Sequence, residues 1–574
     1  MVLKSSDAWF DQLISGQAFD EIGITYLTSS QIYKDCVMTD SKSTGGVACC
    51  MIVLAVMFCS ACAQVAKAEP MNSRDRPNIL MFFCDDMGYG DPQCLNPKSK
   101  IPTPHIDRLA KQGMTFTDAH AAASICTPSR YSLLTGRYCW RSRLPSGITW
   151  YWDPPLLEKG RMTMASMLGE YGYATACVGK WHLGWNWPLT DGTYISDHVK
   201  GPSLPYTQRE EYGKKIDYTR PIKEGPTTRG FDYYFGTTVP NFPPYCFIEN
   251  DRTVGTPTLP KPKDMFGRSW GPMVEGWKLE KILPTLTDKA VACIDNHARH
   301  SKDKPLFLYF ASTAPPTPIR PDKSFQGKSQ AGPYGDLVHQ VDWTLGQLLA
   351  ALERNGMTEN TIVVFTSDNG SPQRAGDPFL HGKESFEPGA VVEMYGHNPS
   401  TIYRGMKWHI WDGGHRIPFI VRWPGKVRAG STCAQTVCLT DWMRTFATML
   451  GDKLPADAGE DSYDIMPLLA GKTDKPIREA TVHHSSMAGP KMDIGNGFAL
   501  RQGKWKMIYG VGPHGRVKSR VKDLPADAAP GELYDMQIDP QEKNNLWNER
   551  QDVVKRLVNL LEKYQKEGRS VQNI

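Results

Sequence analysis

Cys126 is followed by Pro128, Ser129 and Arg130 in the run Ser124-Ile125-Cys126-Thr127-Pro128-Ser129-Arg130-Tyr131. Pro128 suits the first turn of a helix, where a missing N–H is no loss. Cys126 is therefore expected at a helix N-terminus, with free amides and the positive end of the helix dipole beside it, a setting suited to chemistry on an oxyanion. A lone cysteine at a helix start is most simply a buried structural thiol, but four residue types at this spacing are too specific for that reading. Asp85 and Asp86 stand together after one apolar run, and Asp368 and Asn369 after another. Adjacent carboxylates repel unless a cation or hydrogen bonds compensate. The four together form an all-oxygen set that suits Ca2+ or Mg2+ rather than Zn2+, whereas either pair alone would read as a solvated turn. Lys180 and His182, two apart on an extended chain, should point the same way and could bind an anion and move a proton. Lys407 is a second candidate cation. His415 and Arg416, in Asp412-Gly413-Gly414-His415-Arg416, read equally well as structural residues.

The elements that must position these groups are legible as short continuous apolar runs, the pattern of strands buried on both faces. Such runs cover 77–84, 174–179, 305–311, 361–366 and 419–423, with a further strand expected over 114–119. Between them, periodicity and end signals predict helices from Pro104 to Gly113, over 163–171, over 334–355 and over 441–450. Alternation of strands and helices implies an α/β fold with a large, mostly parallel sheet sandwiched by helices, whose ligands bind beyond the carboxyl ends of the strands. Past Met466 the pattern turns to short strands at 480–484, 498–509 and 532–536 and a closing amphipathic helix, a smaller C-terminal α+β domain. Residues 185–282 are rich in Pro, Gly and aromatics without periodicity; so long an irregular span is expected to shape the substrate pocket.

Composition narrows the class. The chain has 574 residues, 40% hydrophobic and 22% charged, and a net charge of only +5 with no basic block, which argues against a nucleic-acid surface. Residues 46–63 are apolar for about the length of a signal h-region and precede Ala66-Lys67-Ala68, a cleavage-type site; the strongly apolar part falls short of the ~20 residues of a membrane span. This implies a secreted or periplasmic protein with no membrane span in the mature chain, and Met38 as the true start. The expected organisation is 1–68 extension and signal, 76–459 catalytic domain and 460–574 C-terminal domain. Cysteine pairing is not readable from sequence.

Taken together, Cys126-x-Pro128-Ser129-Arg130, Asp85-Asp86, Lys180-x-His182, Asp368-Asn369 and Lys407 resemble the motifs of the formylglycine-dependent sulfatases, arylsulfatase-like members of the alkaline phosphatase superfamily, over about residues 76–550. The resemblance implies that a maturation enzyme oxidises Cys126 to formylglycine, whose hydrate attacks sulfur. It implies Ca2+, ahead of Mg2+, held by Asp85, Asp86, Asp368 and Asn369 with residue 126 beside it. Arg130 would stabilise the modified residue, His182 would sit against its hydroxyls, and Lys180 and Lys407 would grip the sulfate of a sulfated small molecule or glycan.

The sequence departs from the family at Ala314-Pro315-Pro316-Thr317-Pro318, where Pro316 aligns with a commonly present His that serves the leaving oxygen. Proline can supply no proton. Lys407, His339, His397 or His415 could substitute, and acidic phenol esters should suffer less than sulfated sugars. Phosphodiester or phosphonate hydrolysis on the same scaffold, and non-catalytic binding of a sulfated glycan, are the competing functions.

Overall fold

The computed structural model describes residues 76–199, 201, 203–267, 271–485, 497–509 and 529–572; the expected signal at 46–68 and the start at Met38 lie outside them. The strands of the main sheet are β1 (Asn78–Cys84), β2 (Met114–Phe116), β3 (Ala174–Lys180), β4 (Tyr233–Thr237), β5 (Ile248–Glu249), β6 (Arg252–Thr253), β7 (Leu306–Ala311), β8 (Thr361–Ser367), β9 (Phe419–Arg422) and β10 (Ser431–Cys433). They are arranged β10-β2-β9-β8-β1-β7-β3-β4-β5-β6. The central five, β8-β1-β7-β3-β4, are parallel, and β9 pairs antiparallel with β8. Register aligns the ends that matter: Cys84 lies opposite Ser367 and Phe83 opposite Ala311, so Asp85 and Asp368 leave the sheet side by side.

Along β1, Ile79, Met81 and Phe83 enter one apolar core while Leu80, Phe82 and Cys84 enter another. Both faces of the strand are thus covered, which is why its sequence is continuously apolar rather than alternating. The first core is completed by α2 (Cys126–Thr135), α3 (Met164–Glu170) and α6 (Trp442–Met449). The second is completed by α1 (Pro104–Gln112), α4 (Ile282–His300) and α5 (Gly332–Arg354). Thr163 caps α3 by accepting from the Ser166 amide. This is the sandwiched α/β sheet expected.

A separate four-stranded antiparallel sheet, β11 (Thr481–Ser485), β12 (Gly497–Gln502), β13 (Trp505–Tyr509) and β14 (Gly531–Asp535), packs on α7 (Gln551–Glu567). Val553, Val554, Leu557, Leu560 and Leu561 of α7 bury one stripe against Val482, Leu500, Met507 and Leu533. The run 498–509, read as one strand, is a hairpin: Gly503 takes a φ of 56°, a left-handed conformation that turns the chain between β12 and β13. The irregular span contains β4 within the main sheet, a strand its sequence does not announce. The described cysteines are all free thiols, and no described helix is long and apolar enough to cross a membrane.

Candidate active site

β1 ends in Asp85 and Asp86. Adjacent residues of an extended strand face opposite ways, but Asp86 has a φ of 61°, a left-handed conformation that costs a non-glycine residue on the order of 1–3 kcal/mol. The break in alternation brings both carboxylates into one group. Oxygens of Asp85, Asp86 and Asp368 and the Cys126 sulfur lie within 4.8 Å of one another, all buried. The strained turn is held by the Asp86 amide donating to Asp368 Oδ1 at 2.9 Å and the Met87 amide donating to Ser367 Oγ at 3.0 Å.

Three cations balance the three carboxylates. Arg130, fully buried, donates from Nη2 to Asp85 Oδ1 at 3.1 Å and to Asp368 Oδ2 at 2.9 Å, and its guanidinium lies over the Phe83 ring. Lys180 Nζ stands 2.8 Å from both oxygens of Asp85, and Lys407 Nζ 2.6 Å from both oxygens of Asp86. Burial alone would raise the Asp85 carboxyl, but Lys180 and Arg130 outweigh it and hold the group far below the usual carboxylate range. Asp368 moves the other way, pushed up first by burial and then by the charge of Asp85. Asp368 shares its one cation, Arg130, with Asp85, which also has Lys180, so among the described residues Asp368 is the least compensated of the three. Asn369 donates from Nδ2 to Asp86 Oδ1 at 2.7 Å, while its buried Oδ1 has no hydrogen-bond partner among the described residues.

Cys126 is the first residue of α2, as its motif predicts. Its sulfur lies 3.3 Å from Lys407 Nζ and 3.9 Å from Asp86 Oδ1. Burial, opposed by Lys180 and Lys407, pushes the thiol up to about 12, so as cysteine it is protonated and a weak nucleophile at neutral pH.

His182 is not on an extended continuation of β3, as alternation suggested. It has a φ of 55°, with the strand ending at Lys180, yet both side chains line the same cavity. His182 Nε2 lies 3.0 Å from the Thr149 carbonyl oxygen. A carbonyl only accepts, so Nε2 carries the proton and the buried Nδ1, without a partner among the described residues, is an open acceptor. Burial, reinforced by Lys180, holds this ring well below the ordinary histidine range.

The cavity above these groups is walled by Ile148, Trp150, Val239, Asn241, Phe242, Pro316, Thr317, Pro372, Arg374 and Trp408. Val239, Asn241 and Phe242 come from the irregular span, as anticipated. The walls at 148–150, 372–374 and 408 carry no motif; the aromatic run Thr149-Trp150-Tyr151-Trp152 was the one available signal. Of the four candidates to replace the missing histidine, Lys407 lines the cavity, whereas His339 bonds the Pro102 carbonyl, His397 bonds Asp91, and His415 packs against His120.

Comparison with known proteins agrees with this geometry. Residues 77–451 match the sulfatase family, and residues 406–567 match the C-terminal region of N-sulphoglucosamine sulphohydrolase. The chain is 34% identical to N-acetylgalactosamine-6-O-sulfatase of Bacteroides thetaiotaomicron over 88% of its own length and 96% of that protein's. It is 30% identical to human arylsulfatase A over 84% of its length and 85% of that protein's. A solved structure from a Bacteroides thetaiotaomicron locus for the metabolism of multiple glycosaminoglycans superposes with a TM-score of 0.69 at 31% identity, covering 86% of this chain and 100% of that one. On this combination of extent, identity and shared architecture, the chain belongs to the sulfatase family and is a hydrolase of sulfate esters.

Proposed function

We propose that this enzyme hydrolyses sulfate esters of a sulfated glycan or smaller sulfated molecule, with residue 126 as formylglycine and Ca2+ held by Asp85, Asp86, Asp368 and Asn369. The observation that carries the reading is the buried cluster of Asp85, Asp86, Asp368 and Cys126, of which Asp85, Asp86 and Cys126 line the cavity, with the Asn369 amide oxygen unpartnered among the described residues. Hard anionic and amide oxygens are the donors Ca2+ prefers. When present, the aldehyde hydrate supplies a hydroxyl nucleophile and the ion supplies positive charge for the sulfate oxygens.

The remaining work falls to the chain's own side chains. Lys180 and Lys407, both lining the cavity, neutralise charge on the equatorial sulfate oxygens. Arg130 keeps Asp85 and Asp368 aligned and, not lining the cavity itself, acts through them. His182 offers Nδ1 to a hydroxyl of residue 126 and takes its proton, a role its neutral ring and fixed tautomer suit. Trp150, Phe242 and Trp408 line the cavity and give the group that leaves an apolar surround. Pro316 provides no acid at that group, which favours esters whose alcohol departs readily. The resemblance to Bacteroides proteins and the expected signal together suggest a secreted or periplasmic location, with a formylglycine-forming enzyme as partner during biosynthesis.

The test is release of sulfate from an aryl sulfate and from a 6-O-sulfated amino sugar by wild type, Cys126→Ala and calcium-stripped enzyme. Turnover is expected only for calcium-loaded wild type made in a host that converts the cysteine. Equal turnover by Cys126→Ala would end the proposal.

A further inference from the structure

Away from the cavity, three histidines from separate parts of the chain meet in the interior: His120, His415 and, on β11, His483. All are buried. Each has one ring nitrogen tied outward. His120 Nε2 lies 2.9 Å from Asp118 Oδ1, His415 Nε2 3.1 Å from the Ile410 carbonyl oxygen, and His483 Nδ1 2.9 Å from the Ala121 carbonyl oxygen. Carboxylates and carbonyls only accept, so His120 Nε2 and His483 Nδ1 carry protons and their other nitrogens present lone pairs; His415 Nε2 faces both the Ile410 carbonyl and the Lys506 ammonium, and where it donates to the carbonyl its Nδ1 presents a lone pair as well. Inward, His120 Nδ1 and His415 Nδ1 stand 3.0 Å apart, and His483 Nε2 has no hydrogen-bond partner among the described residues. One ligand nitrogen from each ring lies within 4.8 Å of the others. Two lone pairs facing at 3.0 Å repel unless a positive centre lies between them.

We propose that a divalent transition-metal ion of the Zn2+ type binds here, held by Nδ1 of His120, Nδ1 of His415 and Nε2 of His483. Metal–nitrogen bonds of about 2.0–2.1 Å in a tetrahedral site separate the nitrogens by roughly 3.3 Å, near the spacing of the first two. Imidazoles that bind metals usually donate their other N–H to a carboxylate or backbone carbonyl, which fixes tautomer and orientation, and all three rings do so. Nitrogen donors select a different class of ion from the all-oxygen set at Asp85, Asp86, Asp368 and Asn369. The rings of His415 and His483 lie parallel at 3.9 Å, so His483 must tilt to share the ion. The competing arrangement needs no ion: Lys506 Nζ, 3.2 Å from His415 Nε2, donates to that nitrogen, and a proton on His415 Nδ1 passes to His120. That arrangement still leaves His483 Nε2 without a donor.

The consequence is structural. His484, beside His483, exchanges backbone hydrogen bonds with Ala122 and Ser124 on the segment that enters α2, so an ion on the triad would fasten the four-stranded sheet to the chain that presents residue 126.

Crystals of the full-length wild-type protein soaked in ZnCl2 provide the direct test, by anomalous scattering at the zinc edge. A peak enclosed by the three imidazoles is expected. A flat map there, with zinc only among Asp85, Asp86 and Asp368 or on the surface, would overturn the site. In solution, Co2+ added to the full-length protein should give the visible absorption of a nitrogen-ligated tetrahedral ion that persists in Asp86→Asn, and His483→Gln should weaken Zn2+ binding at least about tenfold. Binding unchanged in folded His483→Gln would likewise overturn it.

Discussion

Replacing Arg130 by Met keeps most of the side-chain volume and removes one charge from a balanced interior. With Arg130 present, three carboxylates (Asp85, Asp86, Asp368) face three cations (Arg130, Lys180, Lys407). In the variant, Lys180 still neutralises Asp85 and Lys407 still neutralises Asp86, but Asp368 loses the 2.9 Å contact that is its only ion pair among the described residues. Breaking a buried pair by removing one partner costs about 3–5 kcal/mol. Partial protonation of Asp368, already favoured by burial, places the expectation at the lower end, about 3 kcal/mol without calcium. A divalent ion restores the lost charge, and saturation at a thousand times its dissociation constant stabilises by about 4 kcal/mol. Calcium should therefore stabilise the variant more than it stabilises wild type. Urea unfolding followed by tryptophan fluorescence, with and without calcium, measures both quantities. A variant as stable as wild type in chelator, or one with the same calcium increment, would refute the charge balance described for the site.

Other expectations follow from the same geometry. Lys407→Ala should lower kcat/KM for an aryl sulfate by about 10²–10³, measured at saturating calcium; a loss under threefold would mean that Lys407 serves only Asp86. Pro316→His should raise turnover of a sugar sulfate relative to an aryl sulfate by at least about tenfold, and an unchanged ratio would place the proton source elsewhere. His409 is held neutral by burial and then by Arg404, down to about 4. Between pH 6.5 and 4 the unfolded chain takes up a proton that the folded chain refuses, so stability present above pH 6.5 is lost as pH falls through this window. His409→Gln should remove about 3 kcal/mol of that loss, read from urea midpoints at the two ends.

The strands that carry the site were readable because burial on both faces leaves an uninterrupted apolar run, as in Ile79–Cys84 and Thr361–Ser367, and because each run stops at oxygen-bearing residues. Cys126 at the head of α2 was readable from Pro128. What escaped depends on backbone departures or distant contacts. His182 joins Lys180 through a left-handed residue rather than through strand alternation. The Gly503 turn divides a run that composition alone leaves whole. β4, Tyr233–Thr237, is hidden in an irregular span because it pairs on one side with β3, over fifty residues upstream, and on the other with only the two-residue β5. The cavity walls and the histidine triad are assembled from segments with no local pattern in common, so no window of sequence contains them.

The most direct measurement is peptide mass spectrometry across residues 124–131 of enzyme made in a host able to convert the cysteine, paired with sulfate release by the same sample. Turnover should rise in proportion to the fraction of residue 126 found as aldehyde. Full turnover from protein whose Cys126 is an intact thiol would contradict the account.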